Sequence, residues 1–275
     1  MRKILLFAIF AIAVLCGCEK EIEEDNSLPQ DPQITLTTNK EVGETIVLRF
    51  NRDNIPPEVI GATKIDEKNS DAYGGIFEAF VVDVTYALTS QTVVLKGDIV
   101  CLRCRDNELT SLDISGCPGL KFLQCDNNQL TTFIVSDNPE LGFLSCAKNQ
   151  LTQLDVSKNA ELGVLFCNSN KLTSLDISKN KKLGALNCAN NKLTSLDVSK
   201  NTKLYDFGCS LNKIKSAEMS KIIKALPDWT GKTIWHVGEY SLNYAKINVV
   251  SNNNNEENEI SEADIKIAEA KNWKF

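Results

Sequence analysis

The feature that most constrains this chain is a unit of 21 residues that repeats from residue 99 to residue 215. Each unit is marked by a cysteine that is followed three positions later by an asparagine. The cysteines are Cys104, Cys125, Cys146, Cys167, Cys188 and Cys209, and the asparagines are Asn107, Asn128, Asn149, Asn170, Asn191 and Asn212. A strict period of this length indicates that one structural unit is stacked on the next.

Two copies of a shorter phrase make up each unit. Residues 120–130 read L-x-x-L-x-C-x-x-N-x-L, and residues 130–141 read L-x-x-F-x-V-x-x-N-x-x-L. Apolar and polar residues alternate in the middle of each phrase, which predicts a short strand with one inward face. We therefore expect two short strands per coil, with the leucines of successive coils stacked into one core.

Two columns of asparagine are predicted to satisfy the backbone at the corners of the coil. An inward amide side chain can bond the unpaired N–H and C=O groups of its own coil and of the neighbouring coil. The first column follows the cysteines, and the second consists of Asn138, Asn159, Asn180 and Asn201 with Cys117 at its head. The sequence thus predicts a solenoid of about six 21-residue coils.

These phrases resemble leucine-rich repeats, particularly the nested bacterial variety with units such as LTSLDVSKNTKLYDFGC. The resemblance implies a right-handed parallel β-solenoid, conventionally classed α/β and here mainly β with α caps. It also implies recognition of a protein or another ligand. The resemblance predicts the fold better than the function, because one solenoid fold serves many partners.

The amino terminus has the features of an export signal. Residues 1–17 combine a basic start with an apolar run that is too short to span a bilayer, and they end in a motif that resembles a bacterial lipobox with Cys18 as the lipidated residue. A plain cleaved signal is the alternative. Residues 18–32 read as an acidic tether, which resembles a surface-export signal or is simply a solvated charge run. We expect an exported protein, anchored by lipid to the outer membrane and exposed at the cell surface.

The solenoid is flanked by two segments without the repeat. Residues 33–98 carry β signals and are predicted to form an amino-terminal cap, with a separate immunoglobulin-like binding domain as the alternative. Residues 216–275 are predicted to form an α/β carboxyl-terminal cap. Ser216 is expected to cap its first helix and Ser261 its last, whereas residues 251–258 read as mobile surface.

The composition does not indicate a catalytic site or a nucleic-acid-binding surface. The net charge is −6, without a basic patch, and the single histidine, His236, has no serine elbow or metal-ligand spacing beside it. The carboxylates Asp113, Asp155, Asp176 and Asp197 recur with the repeat, so they are interpreted as a solvated face, with calcium binding left open. We expect no enzyme activity, no cofactor and no metal site.

The cysteine column is interpreted as buried packing. Neighbouring strands lie about 4.8 Å apart, whereas a relaxed disulfide brings its Cβ atoms to about 3.8 Å, and a straight column cannot surround a zinc ion. The alternation places Cys101 outward and Cys104 inward, so this C-x-x-C pair is expected to point to opposite faces.

The candidate site lies where the outward side chains of the first phrase vary while the frame stays fixed. Phe122, Phe143 and Phe166 are predicted to form an exposed aromatic strip on successive coils, or alternatively to pack over a neighbouring coil. We expect a monomer that binds a protein of the host or bacterial surface, with a glycan-binding or enzyme-accessory role as the alternative. The candidate ligand-binding residues are Arg103, Arg105, Phe122, Gln124, Asp126, Phe143, Phe166, Asn168 and Asn187.

Overall fold

The computed structural model describes residues 31–51, 58–70, 81–231, 234–235, 241–242, 245–249 and 258–275. Cys18, the signal segment, most of the tether and His236 lie outside these ranges. Among the described residues, no helix is both long enough and apolar enough to cross a membrane. The strands are β1 (Gln33–Thr38), β2 (Thr45–Asn51), β3 (Glu58–Ile60), β4 (Ala62–Ser70), β5 (Val81–Leu88), β6 (Thr92–Lys96), β7 (Cys101–Arg103), β8 (Leu109–Asp113), β9 (Phe122–Gln124), β10 (Phe143–Ser145), β11 (Val164–Phe166), β12 (Ala185–Asn187), β13 (Asp206–Gly208), β14 (Ile234–Trp235), β15 (Ser241–Leu242), β16 (Ala245–Asn248) and β17 (Trp273–Lys274), and the helices are α1 (Ser216–Ala225) and α2 (Glu262–Ala270).

The predicted solenoid is confirmed. Strand β7 and strands β9 to β13 begin 21 residues apart, so the chain makes five complete turns between the first of these strands and the last. Neighbours pair in parallel and in register, with Leu123 opposite Leu144 and Leu144 opposite Leu165. These central leucines are fully buried because each stacks on its equivalent in the adjacent coil.

The prediction of two strands per coil is wrong for most coils. A strand in the second phrase forms only in the first coil, where β1 pairs antiparallel with β8. In later coils a backbone bond to the preceding coil forms just before the second phrase begins, such as that from the N–H of Gln150 to the carbonyl of Leu130, at 2.8 Å. Burial still alternates, with Val135 inside and Ile134 outside, but the backbone forms no ladder there.

The first asparagine column forms the predicted ladder of hydrogen bonds. The Nδ2 of Asn149 donates to the carbonyl of Cys125 at 3.0 Å in the preceding coil and to that of Cys146 at 3.1 Å in its own coil. Its Oδ1 accepts from the backbone N–H of Leu130 at 3.0 Å. Asn107 starts the column by bonding both backbone groups of Val47. Each buried amide therefore ties two neighbouring chain segments together.

The second asparagine column is satisfied on one side only. The Nδ2 of Asn159 donates to the carbonyls of Val135 at 2.8 Å and Asn138 at 2.9 Å, both in the preceding coil. The Oδ1 atoms of this column have no partner among the described residues. At its head, the thiol of Cys117 lies 3.6 Å from the carbonyl of Gly97.

The amino-terminal strands continue both halves of the first coil. On one side β2 pairs antiparallel with β7, with Arg49 opposite Arg103, and β5 and β4 extend that sheet outward. On the other side β1 pairs with β8 and β6, and β6 pairs with β3. Residues such as Ile34, Leu48 and Val84 are fully buried, so the core runs without a break into the solenoid.

The carboxyl-terminal elements extend the same sheet. Strand β16 pairs in parallel with β13, and β17 pairs in parallel with β16. The predicted cap at Ser216 is wrong, because the helix starts at Ser216 behind Lys215, whose side chain makes no cap bond. The carboxylate of Glu259 instead accepts from the N–H and hydroxyl of Ser216 at 3.2 and 2.7 Å. Ser261 caps α2 as predicted, accepting from the N–H of Asp264.

Asn258 continues the first asparagine column. Its interpretation as part of a mobile surface segment is therefore wrong. Its Nδ2 donates to the carbonyls of Cys209 and Val249, both at 2.7 Å, and its Oδ1 accepts from the N–H of Ile214 at 2.9 Å. This side chain is buried although its neighbours at 251–257 lie outside the described residues. The column thus runs from the amino-terminal strands into the carboxyl-terminal elements.

Candidate functional site

The outer face of the larger sheet gathers most of the candidate residues. Because the strands pair in register, one outward row crosses the sheet from the amino-terminal strands to the last coil. A second row lies two positions earlier in each strand and includes Phe122 and Phe143. The first row consists of Arg49, Arg103, Gln124, Ser145, Phe166 and Asn187.

Three aromatic rings lie across these two rows. The rings of Phe122 and Phe143 stack with centroids 4.2 Å apart and an angle of 8° between their planes. Phe166 belongs to the other row and meets Phe143 edge-on, at 5.9 Å and 81°. The guanidinium carbon of Arg103 lies 4.9 Å from the centroid of Phe122, in cation–π geometry.

The expectation of an exposed aromatic strip needs correction. Phe122 is only 6% exposed, covered by Arg103 on one side and Phe143 on the other, so it acts as packing. Phe143 and Phe166 are half-buried. The strip is also diagonal rather than straight, because Phe166 is aligned with Ser145 and not with Phe143. Phe143 and Phe166 therefore remain partly accessible, whereas Phe122 does not.

Asp126 is held in place by neighbours on its own coil and the next one. Its Oδ2 accepts from the Nε2 of Gln124 at 2.8 Å, and its Oδ1 accepts from the N–H of Ala147 at 2.9 Å. The hydroxyl of Ser145 also donates to Oδ1. A carboxylate held by three donors presents a fixed acceptor surface without paying for side-chain ordering upon binding.

Three cavities lie end to end along this face. The first, of about 480 Å³, lies where β2 meets β7, and it shares Arg105 and Asp106 with the second, of about 270 Å³. The second shares Phe166 and Asn187 with the third, of about 480 Å³. Together they form a groove across the coils. Of the candidates, those that line the groove are Arg103, Arg105, Gln124, Asp126, Phe166, Asn168 and Asn187.

The groove also contains residues that the repeat did not indicate. Lys40 and Arg49 come from the amino-terminal strands, whereas Lys246 and Phe275 come from the carboxyl-terminal elements. The outward alternation of Thr45, Val47 and Arg49 was visible in the sequence. Their position beside the first coil depends on the pairing of β2 with β7, which no local pattern encodes.

The thiols are buried as predicted, with one correction. The six cysteines of the column are fully buried and are not joined to one another by disulfides. Burial, with a smaller contribution from neighbouring thiols, raises the pKa of Cys146 and Cys167 well above the usual thiol value. Cys101 was expected to face outward, but it is also buried. Burial raises its pKa to about 11 although Arg103 opposes the shift. Such thiols are poor nucleophiles and metal ligands.

The opposite half of each coil carries the repeated aspartates. The Oδ1 of Asp155 accepts from the backbone N–H of Ser157 at 2.9 Å, and Asp176 and Asp197 do the same with Ser178 and Ser199. These backbone bonds lower the pKa of the three carboxyls. Within the described ranges, no three His, Cys, Asp or Glu side chains come together as a metal-binding group.

Comparison with known proteins identifies the repeat. A family profile described as "Leucine Rich repeat" matches residues 168–185 and 189–208. The two units within these residues are leucine-rich repeats. No curated protein sequence matches the chain.

Several solved structures resemble the solenoid. The functional domain of InlJ from Listeria monocytogenes, described as including a cysteine ladder, is 30% identical, with 62% of this chain and 38% of that chain covered and a TM-score of 0.43. A leucine-rich-repeat protein of Leptospira interrogans is 24% identical over 59% and 38% of the two chains, with a TM-score of 0.44. An internalin, InlF, from Listeria monocytogenes is 18% identical over 57% and 41%, with a TM-score of 0.43. The match covers about two fifths of the length of each of these chains.

Proposed function

We propose that this leucine-rich-repeat protein binds a protein partner along the groove on the outer face of its sheet and performs no chemistry. The observation that carries the proposal is the continuity of the three cavities through shared residues, Arg105 and Asp106 at one junction and Phe166 and Asn187 at the other. Arginine and aromatic side chains contribute most to the energetics of protein interfaces.

A capture experiment with matched variants tests this proposal. The immobilised protein is incubated with extracts of bacterial and host cell surfaces, in parallel with Phe166→Ala and with Asp176→Asn on the opposite half of the coil. We expect the wild type and Asp176→Asn to capture the same partner. Phe166→Ala should capture less of it. Equal capture by all three proteins would contradict binding in the groove.

A glycan ligand is the second candidate. It is favoured by the second cavity, in which the half-buried ring of Phe166 lies with the polar side chains of Asp126, Asn168 and Asn187. An aromatic ring flanked by fixed acceptors and amides suits the apolar face and hydroxyls of a sugar. Retention on a glycan array that Phe166→Ala abolishes would support this candidate over a protein partner.

We further propose that Cys18 is lipidated and anchors the protein to the outer membrane, with the solenoid displayed at the cell surface. The support is the apolar segment before Cys18 and the acidic run after it. Several acyl chains on one residue would anchor the protein stably. Metabolic labelling with a palmitate analogue should mark the wild type and not Cys18→Ala, and labelling of both would contradict the anchor.

A further inference from the structure

The corner just before each asparagine of the first column holds the chain in the left-handed region of backbone conformation. The six residues at these corners have φ between 51° and 60°, although none of them is glycine. Other L residues adopt this conformation at a cost, which is smallest for asparagine and aspartate because their short polar side chains can bond locally. The corner residues are Asp106, Asn127, Lys148, Ser169, Asn190 and Leu211.

Five of these six side chains have a local reason to occupy their corner. The aspartate and the two asparagines are of the favoured types. Ser169 accepts a hydrogen bond from the Nδ2 of Asn190 at 3.2 Å, and Leu211 is half-buried. Lys148 is different, because it is exposed and of a type that this conformation disfavours. Its side chain makes no hydrogen bond or ion pair within the described ranges.

Lys148 lies in the middle of the groove, where it lines the second cavity together with Phe166. Its charge also acts on Asp106, whose pKa is lowered although burial opposes the decrease. Bonds from Asn127 and Arg105 cause most of that decrease, and Lys148 contributes the least. A weak attraction between exposed charges does not stabilise the protein enough to explain a lysine at a strained corner.

We propose that Lys148 is a partner-binding residue of the groove, whose ammonium group donates hydrogen bonds to the protein partner. The inference rests on the proposed function and adds the chemistry of one contact. Asparagine occupies the same corner in two other coils and is less strained there, so folding alone does not favour lysine. Strained residues are concentrated at functional sites. Because a lysine ammonium has three donors and no acceptor, the group that it meets on the partner is a hydrogen-bond acceptor.

The test separates strain from binding with three substitutions. Lys148→Asn removes the ammonium and most of the strain, whereas Lys148→Gln removes the ammonium and keeps a disfavoured residue type. Lys158→Asn is the control. Lys158 is also exposed and also directly precedes a buried asparagine, but its φ is not positive and it lines none of the three cavities.

Two quantities are measured on the full-length proteins. Calorimetry gives the melting temperature, which Lys148→Asn should raise by about 2–4 °C while Lys148→Gln and Lys158→Asn leave it unchanged. Binding is measured with biotinylated extracts of bacterial and host cell surfaces, as the amount of the protein captured by the wild type. Both substitutions of Lys148 should weaken capture by about tenfold, as expected for a charged hydrogen bond, and Lys158→Asn should retain it.

The other outcomes are distinguishable. Unchanged capture by both Lys148 variants would overturn the inference, and the proposed function would stand if Phe166→Ala still depletes the captured protein. A lower melting temperature in Lys148→Asn would also overturn it, because lysine would then stabilise the corner. A loss of capture in Lys158→Asn as great as in Lys148→Asn would show a general effect of charge and would overturn it as well. Indifference of capture to Phe166→Ala would contradict the proposed function itself.

Discussion

The two halves of each coil contribute to the same buried core, but the residues on their outer faces differ in how much they vary from coil to coil. In the half that contains the strand, the outward positions differ from coil to coil, as Gln124, Ser145 and Phe166 illustrate. In the other half the outward aspartate recurs, because Asp155 and its equivalents bond the backbone N–H two residues on. A strand in a ladder has its backbone satisfied and leaves the outer side chain free to vary. In the half without a ladder, the outward aspartate side chain is needed to bond the backbone of the turn and cannot vary freely. We therefore expect recognition on the half of the coil that contains the strand.

Among the variants that compare the two halves of the coil, we expect the largest loss of stability from substitutions in the two asparagine columns. Asn149→Ala removes donors to three carbonyls and the acceptor for Leu130, and it should lower the free energy of unfolding by ~3 kcal/mol. Asn159→Ala removes two bonds from an amide whose oxygen has no partner within the described structure, and it should cost ~1–2 kcal/mol. Urea unfolding monitored by circular dichroism measures both. Equal decreases in the free energy of unfolding would mean that the two columns stabilise the fold equally and would contradict this prediction.

A smaller effect is expected from the cysteine column. Cys167→Ala leaves a small void among stacked leucines and should cost ~1–2 kcal/mol. The raised pKa of Cys167 implies that the folded protein resists alkylation, while the unfolded protein reacts fully without reductant. Mass spectrometry after iodoacetamide treatment counts the modified thiols. Resistance in the unfolded state would show that the thiols are already oxidised.

We expect the smallest effect on stability from the repeated aspartates, and we expect it to appear only at acidic pH. The carboxyl groups of Asp155, Asp176 and Asp197 have a pKa below the ordinary 3.8 in the folded state. Their stabilising contribution is therefore present above about pH 3.8 and is lost as pH falls through the lower folded value. Replacing all three by asparagine should flatten the decline of the melting temperature below pH 4 and leave partner binding unchanged. An equally steep decline would show that other groups control the acid response.

Most of the fold could be predicted from the repeat. The period, the inward leucines and cysteines and the first asparagine column all follow from side chains that bond or pack against their own equivalents one coil away. The strand in the second phrase was overpredicted, since alternation records burial and not hydrogen bonding, as Ile134 and Val135 show. The corner before each asparagine adopts a positive φ even at Lys148 and Leu211, residue types that give no local signal for that conformation.

The candidate site was only partly predictable. Variation among outward positions identified Gln124, Phe166 and Asn187, which line the groove. It also selected Phe122, which is buried because the neighbouring Arg103 and Phe143 cover it. The ends of the groove were missed, because Arg49 and Lys246 reach it through strand pairings between segments distant in sequence. Patterns within the repeat cannot show what the flanking segments contribute.

The most direct test of the account is a paired measurement on Phe166→Ala and Asp176→Asn. For each variant, affinity for the captured partner is measured by surface plasmon resonance and the melting temperature by calorimetry. We expect Phe166→Ala to weaken binding by ~1–3 kcal/mol with little change in melting temperature, and Asp176→Asn to change neither the affinity nor the melting temperature. A marked drop in the melting temperature of Phe166→Ala with unchanged affinity, or a loss of affinity in Asp176→Asn alone, would contradict recognition on the strand side of the coil.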